Sequence, residues 1–348
     1  MVTEHREGEQ FHFRIGESSQ VAELRRKVTG LAGRAGLDET QAGICTVIAS
    51  EMGTNLVKHA KEGEIFLRTV AYGSVQGVEL VALDRGPGMG NVGRALQDGH
   101  STAGSSGTGL GAIVRMATEF DIYSIPGRGT ALVARMWNGV GPSAAKAPAI
   151  RTGVINVAMP GESVSGDAWY AESARRRTVC AVVDGLGHGP LAAQAADLAT
   201  GSLREHHDAP LSEQIDFAHG ALRSTRGAAI GVAEILHDQG LVKFVGVGNI
   251  MAAVCQDGTA RRMVSQNGIL GQQIGRVKEF QYPWSDSATL IMCSDGINTH
   301  WDINPYAGLA ARDPSLIAST LYRDFARGHD DATVIVIAMS VSGWGYHP

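Results

Sequence analysis

The chain has 348 residues, 44% of them apolar, with 45 glycines and a formal net charge of −5. That length exceeds one typical core and suits two, and the acidic balance excludes the basic surface that direct nucleic-acid binding needs. No run approaches the ~20 apolar residues of a membrane span, and the charged opening MVTEHREGEQ lacks the apolar centre of a secretory leader.

In chain order, strands are expected near 11–15, 64–71, 78–84, 119–125 and 130–137, and helices near 18–35, 38–60 and 109–118 would cover one face of a mixed sheet. The second helix carries Ile44, Val47, Ile48, Met52, Leu56 and Val57 at helical spacing. Glu51 and Asn55, four apart, share one of its faces. A carboxylate beside an amide oxygen is what a Mg²⁺-ATP site needs: Asn55 can hold the ion, which keeps several waters, and Glu51 can take a proton from an attacking hydroxyl. Exposed Glu and Asn occur on most helices, so the pair gains its meaning from residues downstream of it. The run VELVALD ends at Asp84 before RGPGMG, and GSSGTGLGAIVRM runs into a helix. Gly86 and Gly88 let the backbone pass close to a flat ring, while Asp84 can accept a hydrogen bond from the exocyclic amine of adenine. Gly104, Gly107, Gly109 and Gly111 can form a lid whose N–H groups, with the helix N-terminus behind them, receive phosphates. No GKS or GKT comes after them, so this is not a P-loop.

The boxes SEMGTN, DRGPGM and GTGLG, with GRGT at 127–130, resemble the GHKL (Bergerat) ATPase fold, an α/β sandwich, and within it the small serine-protein kinases of the RsbT and RsbW type. DRGPGM and TEFDIYSIPGRGTAL favour the RsbT side. The resemblance implies Glu51 as general base, Asn55 as Mg²⁺ ligand, Asp84 as adenine contact, and Gly86, Gly88, Gly107, Gly109 and Gly111 as the shapers of the pocket. Thr108 either touches a phosphate or caps the turn. His59 and His100 are assigned to surface or packing roles, with no histidine as phosphoacceptor. Kinases of this type often dimerise, so a homodimer is among the expectations.

NGVGPSAAKAPAIRT, residues 138–152, mixes Gly, Pro, Ser and Ala without periodicity and reads as a linker between residues 1–137 and 153–348. Beyond it, apolar runs meet aspartates at or beside their ends: VCAVVD reaches Asp184, TLIMCSD reaches Asp295, and Asp330 and Asp331 open DDATVIVIAM. Asp167 follows Ser165 and Gly166. One aspartate before glycine, such as Asp257 before Gly258, is an ordinary turn signal. Several carboxylates clustered beside buried strands repel one another and are tolerable only around cations. Oxygen-only ligands point to Mg²⁺ or Mn²⁺ rather than zinc. Two such ions roughly 3.5–4 Å apart share a water, lower its pKa and aim it at phosphorus. Helices are expected after 188 and near 211–224 and 314–327, flanking two stacked antiparallel sheets with metals between the sheet ends. Cys45, Cys180, Cys255 and Cys293 lie in apolar runs without metal spacing, so reduced thiols and a cytoplasmic setting are expected.

SGD (165–167), DGLGHG (184–189), VGVGNI (245–250), SDG (294–296) and GHDDATVIV (328–336) fall in the order of the metal-dependent type 2C (PPM) serine/threonine phosphatases and resemble their compact SpoIIE-like branch, with DGLGHG closest to the RsbX type. The resemblance implies an αββα four-layer sandwich holding two Mg²⁺ or Mn²⁺. Asp167 and Asp184 become the bridging ligands, the Gly185 carbonyl a further one, and Asp295 and Asp330 complete the sites, with Asp331 the second choice at the last position. Larger relatives hold the phosphate with an arginine near the first motif; this chain has no counterpart there, Arg151 being far upstream. His188 reads equally as a switch element or as a turn cap, and Gly248 and Asn249 as structural markers.

Together the halves lead to the expectation of an α+β bifunctional regulator: an ATP-dependent kinase and an opposing metal-dependent phosphatase acting on a STAS-domain phosphoprotein of the anti-sigma-antagonist or stressosome type. A sigma-factor regulator or another phosphatase is a further candidate partner. Two alternatives stand beside this: a phosphatase gated by a non-catalytic ATP-binding or docking module, and an anti-sigma factor.

Overall fold

The computed structural model describes residues 9–60, 62–96, 109–142, 150–174 and 176–339. In the N-terminal half, β1 (Gln10–Ile15), β2 (Gly63–Tyr72), β3 (Val75–Asp84), β4 (Glu119–Ile125) and β5 (Gly129–Trp137) form one sheet in the order β1-β2-β3-β5-β4. Helices α1 (Ser18–Arg34), α2 (Glu39–His59) and α4 (Gly109–Met116) cover one face, and the short α3 (Val92–Ala95) lies between β3 and α4. Each helix is explained by its pattern. In α1, Val21, Leu24, Val28, Leu31 and Ala32 repeat every three or four residues and are buried. α2 opens on a reciprocal cap, in which Asp38 Oδ1 accepts from Gln41 N at 2.8 Å and Gln41 Oε1 accepts from Asp38 N at 3.0 Å.

The sheet corrects the expectation of mixed strands, because all its pairings are antiparallel. The reason is a count of reversals. Two helices, α1 and α2, separate β1 from β2, so the chain turns back three times and β2 returns antiparallel; a single crossover helix would have made the pair parallel.

In the C-terminal half two sheets stack. One has the order β15-β10-β9-β8-β7, with β7 (Asp167–Ala174), β8 (Arg177–Gly185), β9 (Ala228–Leu236), β10 (Leu241–Val247) and β15 (Phe280–Pro283). The other has the order β12-β11-β16-β17-β6, with β6 (Ile150–Val157), β11 (Met251–Gln256), β12 (Thr259–Arg262), β16 (Thr289–Cys293) and β17 (Ala332–Met339). Val154, Cys180, Val182, Met292 and Ile335 pack between them. Helices α5 (Pro190–Glu205) and α6 (Leu211–Ala221) cover the outer face of the first sheet, and α7 (Pro314–Phe325) covers the second. This is the expected αββα sandwich. A small pair, β13 (Gly268–Ile269) and β14 (Gln273–Ile274), lies beside β9. Strand β6 begins at Ile150, inside the stretch expected as linker, and its first residues pair with the end of β17.

α7 serves both halves. Phe66, Val81, Leu83, Ala131 and Val133, on the face of the N-terminal sheet away from α1 and α2, join one apolar cluster with Leu316, Ile317, Leu321 and Tyr322 of α7. Every residue of α7 from Pro314 to Arg323 is buried. The layers therefore run helices, sheet, α7, sheet, sheet, helices. At this seam Arg135 on β5 donates to Asp313 through Nη1 and Nη2 at 2.6 and 2.8 Å, and Arg151 on β6 donates to Glu119 on β4 at 2.8 and 3.1 Å. Glu79 on β3 accepts from Arg68 Nε at 2.6 Å, Arg135 Nε at 2.7 Å and Ser315 Oγ at 2.9 Å. Among the described residues no helix is long and apolar enough to cross a membrane.

Candidate functional site

Two sites are built where strands end. In the N-terminal half a cavity of about 610 Å³ lies between α2 and β3. Met52, Leu56, Ala82, Met89, Leu110 and Leu132 give it apolar walls, and Asn55, His59, Asp84 and Thr130 supply polar atoms. Asp84 is the last residue of β3; its Oδ1 accepts from Gly86 N at 2.6 Å, and the backbone N–H of Thr130 also donates to it. Burial still pushes this carboxyl above its usual range, outweighing those two hydrogen bonds. A carboxylate in an apolar slot is suited to accept from an amine such as that of adenine.

Two glycines close this floor by necessity. At Gly88, φ is +66° and an added Cβ would lie 2.0 Å from Ile125 O; at Gly129, φ is +99° and a Cβ would lie 2.0 Å from Asp84 O. At Gly86 a Cβ would meet Asp84 Oδ1 at 2.7 Å. Gly109, first residue of α4, would press a Cβ to 2.9 Å from Glu51 Oε2 and 3.4 Å from Asn55 Oδ1, so the helix start sits against the Glu51 and Asn55 pair. Gly111 is buried within α4. Glu51 is not part of the cavity wall, whereas His59, expected to have a surface or packing role, is. Gly104, Gly107, Thr108 and His100 lie outside the described residues.

The second site gathers the carboxylates. Asp167 opens β7 and Asp184 lies near the end of β8, directly opposite it in the strand register. Asp295 follows β16, and Asp330 and Asp331 precede β17, the strand hydrogen-bonded to β16. Burial first, then mutual repulsion, raises Asp167 to about 7 and Asp184 to about 8. Asp295 and Asp331 are raised for the same leading reason. Ser294 and Thr333 donate to the Asp167 side chain. Asn156 Nδ2 anchors the Asp167 carbonyl at 3.2 Å. Asn249 Nδ2 donates to Asp295 Oδ2 at 2.7 Å, and Met159 N donates to Asp331 Oδ1 at 2.8 Å. Asn249, read from sequence as a structural marker, thus holds an acidic residue directly. Gly185 packs under α5, where a Cβ would lie 2.1 Å from Ala192 O. His188 is tied through Nδ1 to Glu162 Oε1 at 2.6 Å. Arg151, at the seam, is remote from this cluster in its pairing.

The donor set fits hard cations. Asp167 Oδ2 and Asp331 Oδ2 are buried with no hydrogen-bond partner, and the acidic side chains around them offer oxygen alone. Among the described residues, no three His, Cys, Asp or Glu side chains close around one point. Asp331, the second choice from sequence, offers a buried oxygen without a partner, whereas Asp330 is half-buried and accepts from Asp331 N at 3.0 Å.

Residues 16–136 match the histidine kinase-like ATPase domain family, and residues 174–340 match the stage II sporulation protein E (SpoIIE) family. The serine/threonine-protein kinase RsbT of Bacillus subtilis is 37% identical over 97 residues, which are 28% of this chain and 72% of RsbT. The phosphoserine phosphatase RsbX of the same organism is 23% identical over 150 residues, 43% of this chain and 75% of RsbX. The chain belongs to the RsbT family in its first half, and its second half carries a SpoIIE-type domain. A solved structure of RsbX in complex with magnesium superposes with a TM-score of 0.50 at 23% identity, covering 55% of this chain and 96% of that one. A chain from a solved structure of the bacterial stressosome reaches a TM-score of 0.51 at 28% identity, covering 54% of this chain and 99% of that one. The SpoIIE-type half is thus a PP2C phosphatase fold, fused behind a kinase-like ATPase-family domain whose cavity opens at the end of β3.

Proposed function

We propose that this chain is a bifunctional switch regulator, in which residues 1–137 transfer phosphate from Mg²⁺-ATP to Ser or Thr of a STAS-domain protein and residues 153–348 hydrolyse phosphate from such a protein, with 138–152 joining them. One observation carries the reading: a set of mutually repelling carboxylates with two unpartnered buried oxygens shares a chain with an acid-floored cavity of nucleotide size. Two Mg²⁺ or Mn²⁺ ions, when bound, would neutralise the carboxylates and provide a water of lowered pKa. Asp167 and Asp184, on adjacent strands, would hold them, with the Gly185 carbonyl, Asp295 and Asp330 or Asp331 as further ligands. Asn249 donates a hydrogen bond to Asp295 and would hold it in place. In the other half Glu51 would receive the proton of the attacking hydroxyl, Asn55 would hold Mg²⁺, and Asp84 would select adenine. The likeness to RsbT and RsbX supports an anti-sigma-antagonist or stressosome partner, and four free, buried cysteines support the cytoplasm as its setting.

The deciding experiment uses Asp184→Asn and Glu51→Gln in the full chain with a STAS-domain protein. Asp184→Asn is expected to abolish phosphate release and keep ATP binding; Glu51→Gln is expected to abolish transfer of labelled phosphate and keep release. Hydrolysis retained in Asp184→Asn rejects the two-metal reading. A second reading, an ATP-binding module that gates the phosphatase, is favoured by the sharing of α7 and by Arg85 Nη1 donating to Arg323 O at 2.8 Å. Tight ATP binding without any label transfer by the unmodified chain would select it.

A further inference from the structure

Where the two halves meet, a second cavity of about 550 Å³ opens between the end of β1 and the loops that flank β6 and β17. The N-terminal half contributes Arg14, Glu62, Glu64 and Arg85, and the C-terminal half contributes Tyr322 and Asp330. Two of the acidic side chains already have partners. Glu64 accepts from the Tyr322 hydroxyl at 3.2 Å and pairs with His12 Nε2 at 3.0 Å, and Glu62 pairs with Arg85 Nε at 3.1 Å. Arg85 gives Nη1 to Arg323 O at 2.8 Å, which holds this guanidinium against the end of α7 and leaves its Nη2 without a partner among the described residues. Arg14 is exposed, and among the described residues no carboxylate pairs with it. The cavity therefore presents one unmatched guanidinium and the free edge of another, and Asp330 of the acidic cluster also lines it.

We infer that this cleft receives the phosphorylated segment of the protein substrate, with Arg14 and the free edge of Arg85 holding the phosphate as it reaches the acidic ring. The inference rests on the phosphatase reading above. A phosphomonoester dianion that leaves water needs cationic donors besides the metals, and the planar guanidinium fork matches its oxygens in pairs. Arg151, the arginine of β6, is spent on Glu119 in the seam and cannot serve. The two guanidiniums come from the RsbT-like half, so the phosphatase site is complete only in the fused chain.

The test uses the Mn²⁺-loaded full chain with a phosphoserine peptide, p-nitrophenyl phosphate and inorganic phosphate. Arg14→Ala is expected to raise KM for both esters about tenfold and to weaken inorganic phosphate by the same factor, read as competition and as calorimetric binding, with kcat within about threefold. Arg14→Lys should recover only part of the loss, because the charge returns without the fork. Unchanged KM and phosphate binding in Arg14→Ala, beside an inactive Asp184→Asn, would overturn the cleft while leaving the phosphatase reading standing. A rise in KM for the peptide alone would also overturn it, since Arg14 would then be reading acidic side chains and not the phosphate. Hydrolysis retained in Asp184→Asn would remove the phosphatase reading, and the cleft with it.

Discussion

Asp167 and Asp184 face each other across neighbouring strands, each at the end of an apolar run, so the sheet itself forces two carboxylates together. Their consequence is a pH-dependent demand for cations. Both are raised, to about 7 and about 8, so the folded chain favours their protonated forms. Groups shifted upward stabilise below their unfolded pKa, and that contribution is lost as pH rises through the folded values. Without metal, this contribution to stability falls from about pH 4 to pH 8. Divalent ions reverse the sign by favouring the charged forms. Mn²⁺ is therefore expected to raise Tm more at pH 8 than at pH 6 in thermal melts; an equal gain at both would count against the cluster as a metal site.

Replacing one repelling member acts through the same electrostatics. Asp184→Asn is expected to raise the Tm of the metal-free protein at pH 8, because an amide removes charge from a buried, crowded position. The same variant should lose most of the Mn²⁺-induced gain. A metal-free Tm at or below that of the parent would show that repulsion at Asp184 is not a significant cost.

On the proposed reading, Asp84 would set nucleotide choice. Its carboxylate accepts, and adenine offers an exocyclic amine where guanine offers a carbonyl oxygen. Asp84→Asn should weaken ATP binding by about tenfold to a hundredfold, the range for losing a hydrogen bond to a charged group. It should also narrow the preference for ATP over GTP, measured by calorimetry. Unchanged affinity would place adenine elsewhere.

Much of the fold and of both sites is legible in the sequence because the relevant signals are local. The cap of α2 is written in Asp38 and Gln41, the four-residue spacing of Glu51 and Asn55 fixes their shared face, and strand ends coincide with Asp84, Asp184 and Asp295. The illegible part depends on distant partners. Arg68, Glu79, Glu119 and Arg135 alternate with apolar residues along strands, a pattern that ordinarily marks a solvent face. They are buried here because Asp313, 178 residues from Arg135, brings α7 over that face. Asn249 is likewise ordinary in its turn until Asp295, 46 residues on, turns out to need a donor.

The seam yields the last expectation. Asp313 is buried, and the Arg135 guanidinium, with Arg151 beside it, holds its carboxyl well below the usual range despite the cost of burial. A carboxylate lowered in this way contributes stability above its unfolded pKa and loses it as pH falls through the folded value, so the seam holds at neutral pH and weakens only in strong acid. Removing one partner leaves guanidinium charge buried with less to answer it, although Glu79 and Glu119 remain in contact with Arg135. Asp313→Ala should therefore destabilise by about 3 kcal/mol, at the lower edge of the range for breaking a buried pair. Changing Arg135 to Met together with Asp313→Leu should cost less than the sum of the two single changes, since apolar residues of similar volume can replace a buried pair with little loss. Urea melts of the four proteins measure this. Strict additivity would mean that Arg135 and Asp313 are not energetically coupled across the seam.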